Sequence, residues 1–360
     1  MLHHTRIGPL LLSFVLMGAL ACSDSSSTDA SSNQTADADI QDSGSTAESD
    51  AQAPDSNTAL PDTGDSADTE PDPPDAQPDT TPFEPPDPDT LPEFPGGERP
   101  SPFFVPEQYE PDRAWPLVVQ LHGFTVNAFL QDLMLRTSEL VDEFGFILLT
   151  PEGTTDSNGD QFWNASDVCC DFDDSDVDDV TYLNALIDEA QLRWHIDPDR
   201  IYVLGHSNGG FMSYRLACDS GERFAGMMSL AGDMALDPES CVQHPLTVLH
   251  VHGTADDVIF YEGGLFQGGL SPGARASIET WANINGCDGT WVSKPPMDLD
   301  TSLAGAETRI EEQTGCSSGA SVALWTIDGG VHVPAVSDGL FMREVMTILL
   351  AQTRIPPQGR

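Results

Sequence analysis

Six short apolar runs, each closed by glycine or proline, constrain this chain more than any other feature. They are Leu117 to Leu121 before His122-Gly123, Phe146 to Leu149 before Pro151, and Ile201 to Leu204 before Gly205. Met227 to Leu230 before Gly232, Leu246 to Val251 before Gly253, and Val322 to Ile327 before Gly329 complete the set. Each is apolar at consecutive positions rather than alternate ones, the pattern of strands buried on both faces. Segments of helical periodicity lie between them. The clearest predicts a helix over Val180 to Trp194, with Tyr182, Leu183, Leu186, Ile187, Ala190 and Trp194 at helical spacing and Asp178 or Asp179 as N-cap. Alternating strands and helices with short connections predict a mostly parallel sheet covered on both faces. In such sheets ligands bind at the carboxyl ends of the strands. The residues that close each run are therefore the candidates for chemistry.

The rest of the chain divides around this region. Residues 1–22 read as an export signal, with Arg6 before the apolar run Leu10 to Met17, too short to span a membrane. The signal ends Ala19-Leu20-Ala21-Cys22, a lipoprotein-type ending that also fits an ordinary A-x-A cleavage site. The chain has seven cysteines, and a lipid on Cys22 leaves six, which pair completely. Cys287 and Cys316 flank the segment before the last strand and are expected to pair. Among Cys169, Cys170, Cys218 and Cys241, a bridge between the two adjacent residues is the pairing least expected on geometry. Residues 23–98 hold 20 of the 59 Asp and Glu and no Lys or Arg. Such a segment buries too little apolar surface to offset chain entropy, and it reads as a disordered acidic spacer. Residues 99–360 form the predicted catalytic domain.

The net charge of −45 excludes nucleic acid as a partner. It leaves the lipid as the route to a membrane, at the surface of a secreting cell. The acidic excess continues into the folded part, so screening should relieve self-repulsion there. Raising NaCl to 1 M, where the Debye length is about 3 Å, should raise the melting temperature. A flat or falling melting temperature would contradict this.

Gly205-His206-Ser207-Asn208-Gly209 fits G-x-S-x-G between a buried strand and a predicted helix from Gly210 to Cys218. That setting presents Ser207 as a nucleophile, which needs a base to remove its proton. His332 follows the last strand behind Gly329-Gly330 and is the candidate base. His206 reads as structural, because the turn points neighbouring side chains in different directions, and His250 and His252 read as packing residues. The third member should follow the strand before the histidine, where Asp256 and Asp257 lie, and Asp256 is the choice. Backbone N–H groups of Asn208 and Phe124 are the candidate oxyanion donors. The acidic run Asp171, Asp173, Asp174, Asp176, Asp178 and Asp179 lacks the glycine and glutamate of an EF-hand loop and reads as a loop into a helix cap. No metal and no cofactor are expected.

Trp163-Asn164-Ala165, Cys169-Cys170, Asp178-Asp179-Val180, Trp194 to Pro198, Gly205 to Gly210, Arg215 to Cys218, His252 to Asp256, Tyr261 to Gly264 and Trp281 to Cys287 resemble the polyhydroxybutyrate depolymerase and feruloyl esterase family. The resemblance covers nearly all of residues 99–350. It implies an α/β-hydrolase fold without a large lid domain, and a cofactor-free serine esterase acting on polymers or plant cell-wall polysaccharides. The family's triad falls on Ser207, Asp256 and His332, and Trp163 and His122 are assigned to substrate binding. Two departures touch the pocket. The family's Gly-Gly-Gly-His-Thr-Trp-Pro is here Gly329-Gly330-Val331-His332-Val333-Pro334, and Phe124 stands where a smaller residue or Cys is common. The expected state is a monomer. The alternatives are a serine peptidase on the same fold and a non-catalytic surface lipoprotein.

Overall fold

A computed structural model of the chain describes residues 83–84, 86–87, 91–266 and 268–356. The signal, Cys22 and most of the acidic spacer lie outside the described residues. In chain order the strands are β1 (Phe103–Phe104), β2 (Trp115–Leu121), β3 (Ile147–Leu149), β4 (Thr154–Thr155), β5 (Gln161–Phe162), β6 (Ile196–His206), β7 (Gly226–Leu230), β8 (Thr247–Gly253), β9 (Gly264–Phe266), β10 (Gly269–Ser271), β11 (Val292–Met297), β12 (Thr308–Gln313) and β13 (Val322–Ile327). The helices are α1 (Ala128–Leu135), α2 (Val141–Phe144), α3 (Asp179–Arg193), α4 (Asn208–Ser220), α5 (Ala274–Ile284) and α6 (Leu340–Leu350).

Nine strands form one sheet in the order β1-β3-β2-β6-β7-β8-β13-β12-β11. The six expected runs occupy its centre, from β3 to β13, and all pair in parallel. Antiparallel pairs close both edges, β1 on one side and β12 and β11 on the other. Pleating sends successive side chains to opposite faces. Leu117, Val119 and Leu121 of β2 therefore pack in one core with Leu183, Leu186 and Ile187 of α3, Phe211 of α4 and Trp281 of α5. Val118 faces the other core, with Phe341, Val345 and Leu349 of α6. Burial on both faces is why these strands are apolar throughout.

Helix α3 begins one residue before the expected start, and the Asp178 side chain caps it by accepting from Thr181 N at 2.9 Å. Asp179, inside the first turn, has another role. Its carboxylate is fully buried, accepts from Asn164 N at 2.8 Å, and meets Arg99 Nη1 at 2.6 Å. The Arg99 guanidinium also stacks 3.7 Å over the Tyr182 ring. The chain just before it lies along α3, where Gly96 N donates to Glu189 at 2.9 Å and Arg193 donates to Pro92 O at 2.8 Å. Breaking a buried pair leaves an uncompensated charge. Arg99→Ala should therefore cost about 3 kcal/mol of stability in urea unfolding. A loss below about 1 kcal/mol would mean that solvent or another donor compensates Asp179.

Three disulfides occur among the described residues: Cys287–Cys316, as expected, Cys218–Cys241, and Cys169–Cys170. The last corrects the expectation from sequence. The peptide between Cys169 and Cys170 is cis, which brings the two Cα atoms to 3.0 Å and lets adjacent side chains meet. Cys287 and Cys316 are separated by 29 positions. Replacing both by Ser should cost roughly 3–4 kcal/mol in the chain-entropy model. An unchanged unfolding midpoint would contradict it.

Candidate active site

The parallel strands place their carboxyl ends along one rim. Leu121 pairs with Gly205, His206 with Leu230, Leu230 with Val251, and Gly253 with Ile327. The loops that leave this rim carry the candidate residues. At the end of β6 the chain turns sharply into α4 through Ser207, whose φ of 54° and ψ of −120° are strained for a residue with a side chain. The turn demands glycine on either side. A Cβ on Gly205 would come within 2.2 Å of Gly209 O, and one on Gly209 within 2.4 Å of Leu121 O. The helix runs Asn208–Ser220, two residues further at each end than expected, and the turn itself supplies its first two residues, Asn208 and Gly209.

His332 stands between Ser207 and Asp256. Its Nε2 lies 2.9 Å from Ser207 Oγ and its Nδ1 lies 2.8 Å from Asp256 Oδ2. An ionised carboxylate only accepts, so Nδ1 carries the proton and Nε2 is free to accept from the serine hydroxyl. The Asp256 side chain is fully buried, while Asp257 beside it is exposed. Asp256 Oδ1 also accepts from Val258 N and Ile259 N, each at 2.9 Å. Burial alone would raise this carboxyl. Hydrogen bonds from His252 and His332 and the nearby backbone amides outweigh burial and hold it well below the usual carboxylate range. Asp256 thus stays ionised whenever the imidazole is a competent base.

His206 has the structural part expected of it. Its Nε2–H donates to His332 O at 2.8 Å, tying the His332 loop to the end of β6. Burial, with the adjacent His332, pushes its pKa down to about 4, so it is neutral at pH 7. The loop after β2 also reaches Ser207: a Cβ on Gly123 would lie 3.5 Å from Ser207 Cβ. Phe124 N–H next to it has no hydrogen-bond partner among the described residues. Asn208 N–H opens α4, where the first amides have no intrahelical acceptor. Both candidate donors are thus uncommitted.

Trp163 and His122 do not face a substrate, which corrects their assignment. Both side chains are fully buried and pack on each other with ring centroids 5.0 Å apart. Trp163 Nε1 donates to His122 O at 3.1 Å, and its backbone exchanges hydrogen bonds with the Asn208 amide at 2.7 and 2.8 Å. His122 donates from Nδ1 to Gly123 O and accepts from Gly153 N at Nε2, each at 2.8 Å. Burial lowers its pKa to about 4. The two residues pack behind Ser207, bonded to each other and to Asn208. The aromatic that does reach the surface near this loop is Phe172, edge-on to Phe124 at 5.3 Å.

Sequence reasoning passed over His252. Its Nε2 lies 3.2 Å from Asp256 Oδ2, so Asp256 has a second imidazole partner. The signal was the pair His250 and His252, two residues apart on a strand and hence on one face.

Residues 108–265 match a family model described as phospholipase/carboxylesterase. The chain is 30% identical over 237 residues to feruloyl esterase B of Piromyces equi, covering 63% of this chain and 41% of that protein. It is 32% identical over 229 residues to the putative esterase NocK of Nocardia uniformis subsp. tsuyamanensis, covering 60% of this chain and 64% of that one. The chain therefore spans less than two thirds of either relative's length. A solved acetyl xylan esterase from Aspergillus awamori is similar at a TM-score of 0.47 with 14% identity, covering 70% of this chain and 94% of that chain. The strand–turn–helix around Ser207 and the mostly parallel sheet beneath it make an α/β-hydrolase fold, and the chain is similar to esterases of the feruloyl-esterase type.

Proposed function

We propose that this chain is a secreted serine carboxylic-ester hydrolase acting on esters carried by polymers or polysaccharides, of the feruloyl, acetyl or polyhydroxyalkanoate kind. The observation that carries the reading is His332, held between an ionised, buried acid and a serine hydroxyl at hydrogen-bonding distance from both. In this reading Ser207 Oγ attacks the ester carbonyl carbon as its proton passes to His332 Nε2. Asp256 stabilises the imidazolium. The oxyanion accepts from Phe124 N–H and Asn208 N–H, at the positive end of α4. The intermediate collapses as His332 returns the proton to the departing alcohol, leaving an acyl group on Ser207. Water, deprotonated by His332, then attacks the acyl carbon. The acid leaves, and the proton returns to Ser207.

The polymer reading is supported by the name of one relative, a feruloyl esterase. Val331 and Val333 flank His332 and are about half exposed, where the resemblance leads one to expect a glycine and a threonine. A lipid on Cys22 and the acidic spacer would hold the domain off a cell surface, acting as a monomer. Turnover of methyl ferulate, acetylated xylan, short nitrophenyl esters and polyhydroxybutyrate tests the reading. Hydrolysis of at least one, abolished by a fluorophosphonate that labels Ser207, is the expected result. Labelling without turnover of any ester, alongside cleavage of a peptide, would favour the peptidase.

A further inference from the structure

Three side chains outside the Ser207–His332–Asp256 triad converge on one buried point behind the acid loop. They are Asp233, which follows β7, and His250 and His252 of β8, all fully buried. His250 Nε2 and His252 Nδ1 are 3.2 Å apart. Asp233 Oδ1 lies 3.8 Å from His252 Nδ1 and 4.0 Å from His250 Nε2. A point equidistant from these three atoms is about 2.1 Å from each, inside the range of zinc bonds to imidazole nitrogen and carboxylate oxygen, about 2.0–2.2 Å.

The other polar atoms of the three residues are committed elsewhere. His252 Nε2–H donates to Ile259 O at 2.9 Å and lies 3.2 Å from Asp256 Oδ2. His250 Nδ1 lies 2.9 Å from Tyr214 OH. Asp233 Oδ2 accepts from Ser271 Oγ at 2.5 Å and from Gly273 N at 3.1 Å. Metal ligands are typically held in this way, with the far ring nitrogen donating and the far carboxylate oxygen accepting. What remains is Asp233 Oδ1, buried and with no hydrogen-bond partner among the described residues. A proton shared between the two imidazoles satisfies both nitrogens but leaves that oxygen bare, since 3.8 Å is too long for a hydrogen bond. A divalent cation satisfies all three atoms at once.

We propose that Asp233, His250 and His252 bind one divalent transition-metal ion of the zinc type. Two imidazoles and one carboxylate suit zinc better than magnesium or calcium, which prefer oxygen alone. Binding displaces the proton between the imidazoles to solvent. The ion lies on the far side of His252 from Asp256 and takes no part in ester cleavage. It fixes the orientation of His252, and through the Nε2–H the placement of the acid loop, so His252 acts as a positioning residue.

The whole chain, produced in zinc-supplemented medium and purified without immobilised metal, should be dialysed against a weak chelator to clear ions from its acidic surface. Mass-spectrometric metal analysis should then find about one zinc per chain. Asp233→Asn and His250→Gln, each preserving volume, should hold less than about a tenth of that. An anomalous scattering peak at the zinc edge should lie between the three side chains. Wild-type protein without bound zinc would overturn the proposal and leave Asp233 balanced by a proton on the imidazoles. Full zinc retained in both variants, or a peak elsewhere, would overturn it equally. Should either variant fail to fold, the wild-type stoichiometry and the position of the peak still decide. None of these readouts depends on which ester is cleaved.

Discussion

Ser207→Ala should lower ester turnover by on the order of 10⁶-fold while leaving the unfolding midpoint close to that of the parent protein. In the proposed mechanism the hydroxyl carries the whole covalent step, and its hydrogen-bond partner in the structure is His332 Nε2. Removing it leaves the His332 ring, whose side chain is 13% exposed, at the edge of the site rather than in a sealed core. His332→Ala should do nearly as much damage, because the serine then keeps its proton. The two losses should not add, since both residues act in one step. Single-turnover measurements on a short acyl ester check this, and most of the activity surviving in Ser207→Ala would sink the mechanism. Residual turnover above the uncatalysed rate is expected in both variants from the oxyanion donors, which neither change touches.

Two neighbouring aspartates should behave very differently. Asp256→Asn should cost on the order of 10⁴-fold in turnover, judged from the same change in a serine protease of unrelated fold. The amide removes the charge that stabilises the imidazolium, and its NH₂ favours the wrong tautomer of His332. Asp256 also accepts from two backbone amides and lies beside His252, so the variant should lose stability as well. Asp257→Asn should leave turnover within about threefold, because its side chain points to solvent and surface charges contribute little. Comparing the two variants by kcat, with the unfolding midpoint as a control, isolates the acid. Loss of turnover in Asp257→Asn with retention in Asp256→Asn would reassign the acid and leave the nucleophile as it stands.

Much of this protein is legible in its sequence. The six apolar runs became the central parallel strands because burial on both faces writes an unbroken apolar run into the chain. Helix α3 was legible to within a residue because its cap and its periodicity are local. The elbow was legible for the same reason: strand, turn, glycines and helix occupy consecutive positions. The edge strands were not. β11 is mostly exposed and carries Pro295 and Pro296, so neither an apolar run nor an alternation marks it. Edge strands tolerate proline because one side of their backbone is unpaired.

Other features became visible only in three dimensions. Sequence order narrowed the acid to two adjacent residues, but which one turns inward depends on the loop after β8 packing under His332, 76 positions away. Trp163 and His122 stood in positions that suggested contact with substrate, but both are fully buried and packed on each other behind Ser207. The bridge between the neighbouring Cys169 and Cys170 joins residues that composition gives no reason to pair. The convergence of Asp233 with His250 and His252 joins the end of one strand to the face of the next. Local signals such as caps, periods and turns act over a few residues and survive in the sequence. Contacts between loops depend on the register of the sheet that carries them, and that register is settled only when the whole core packs.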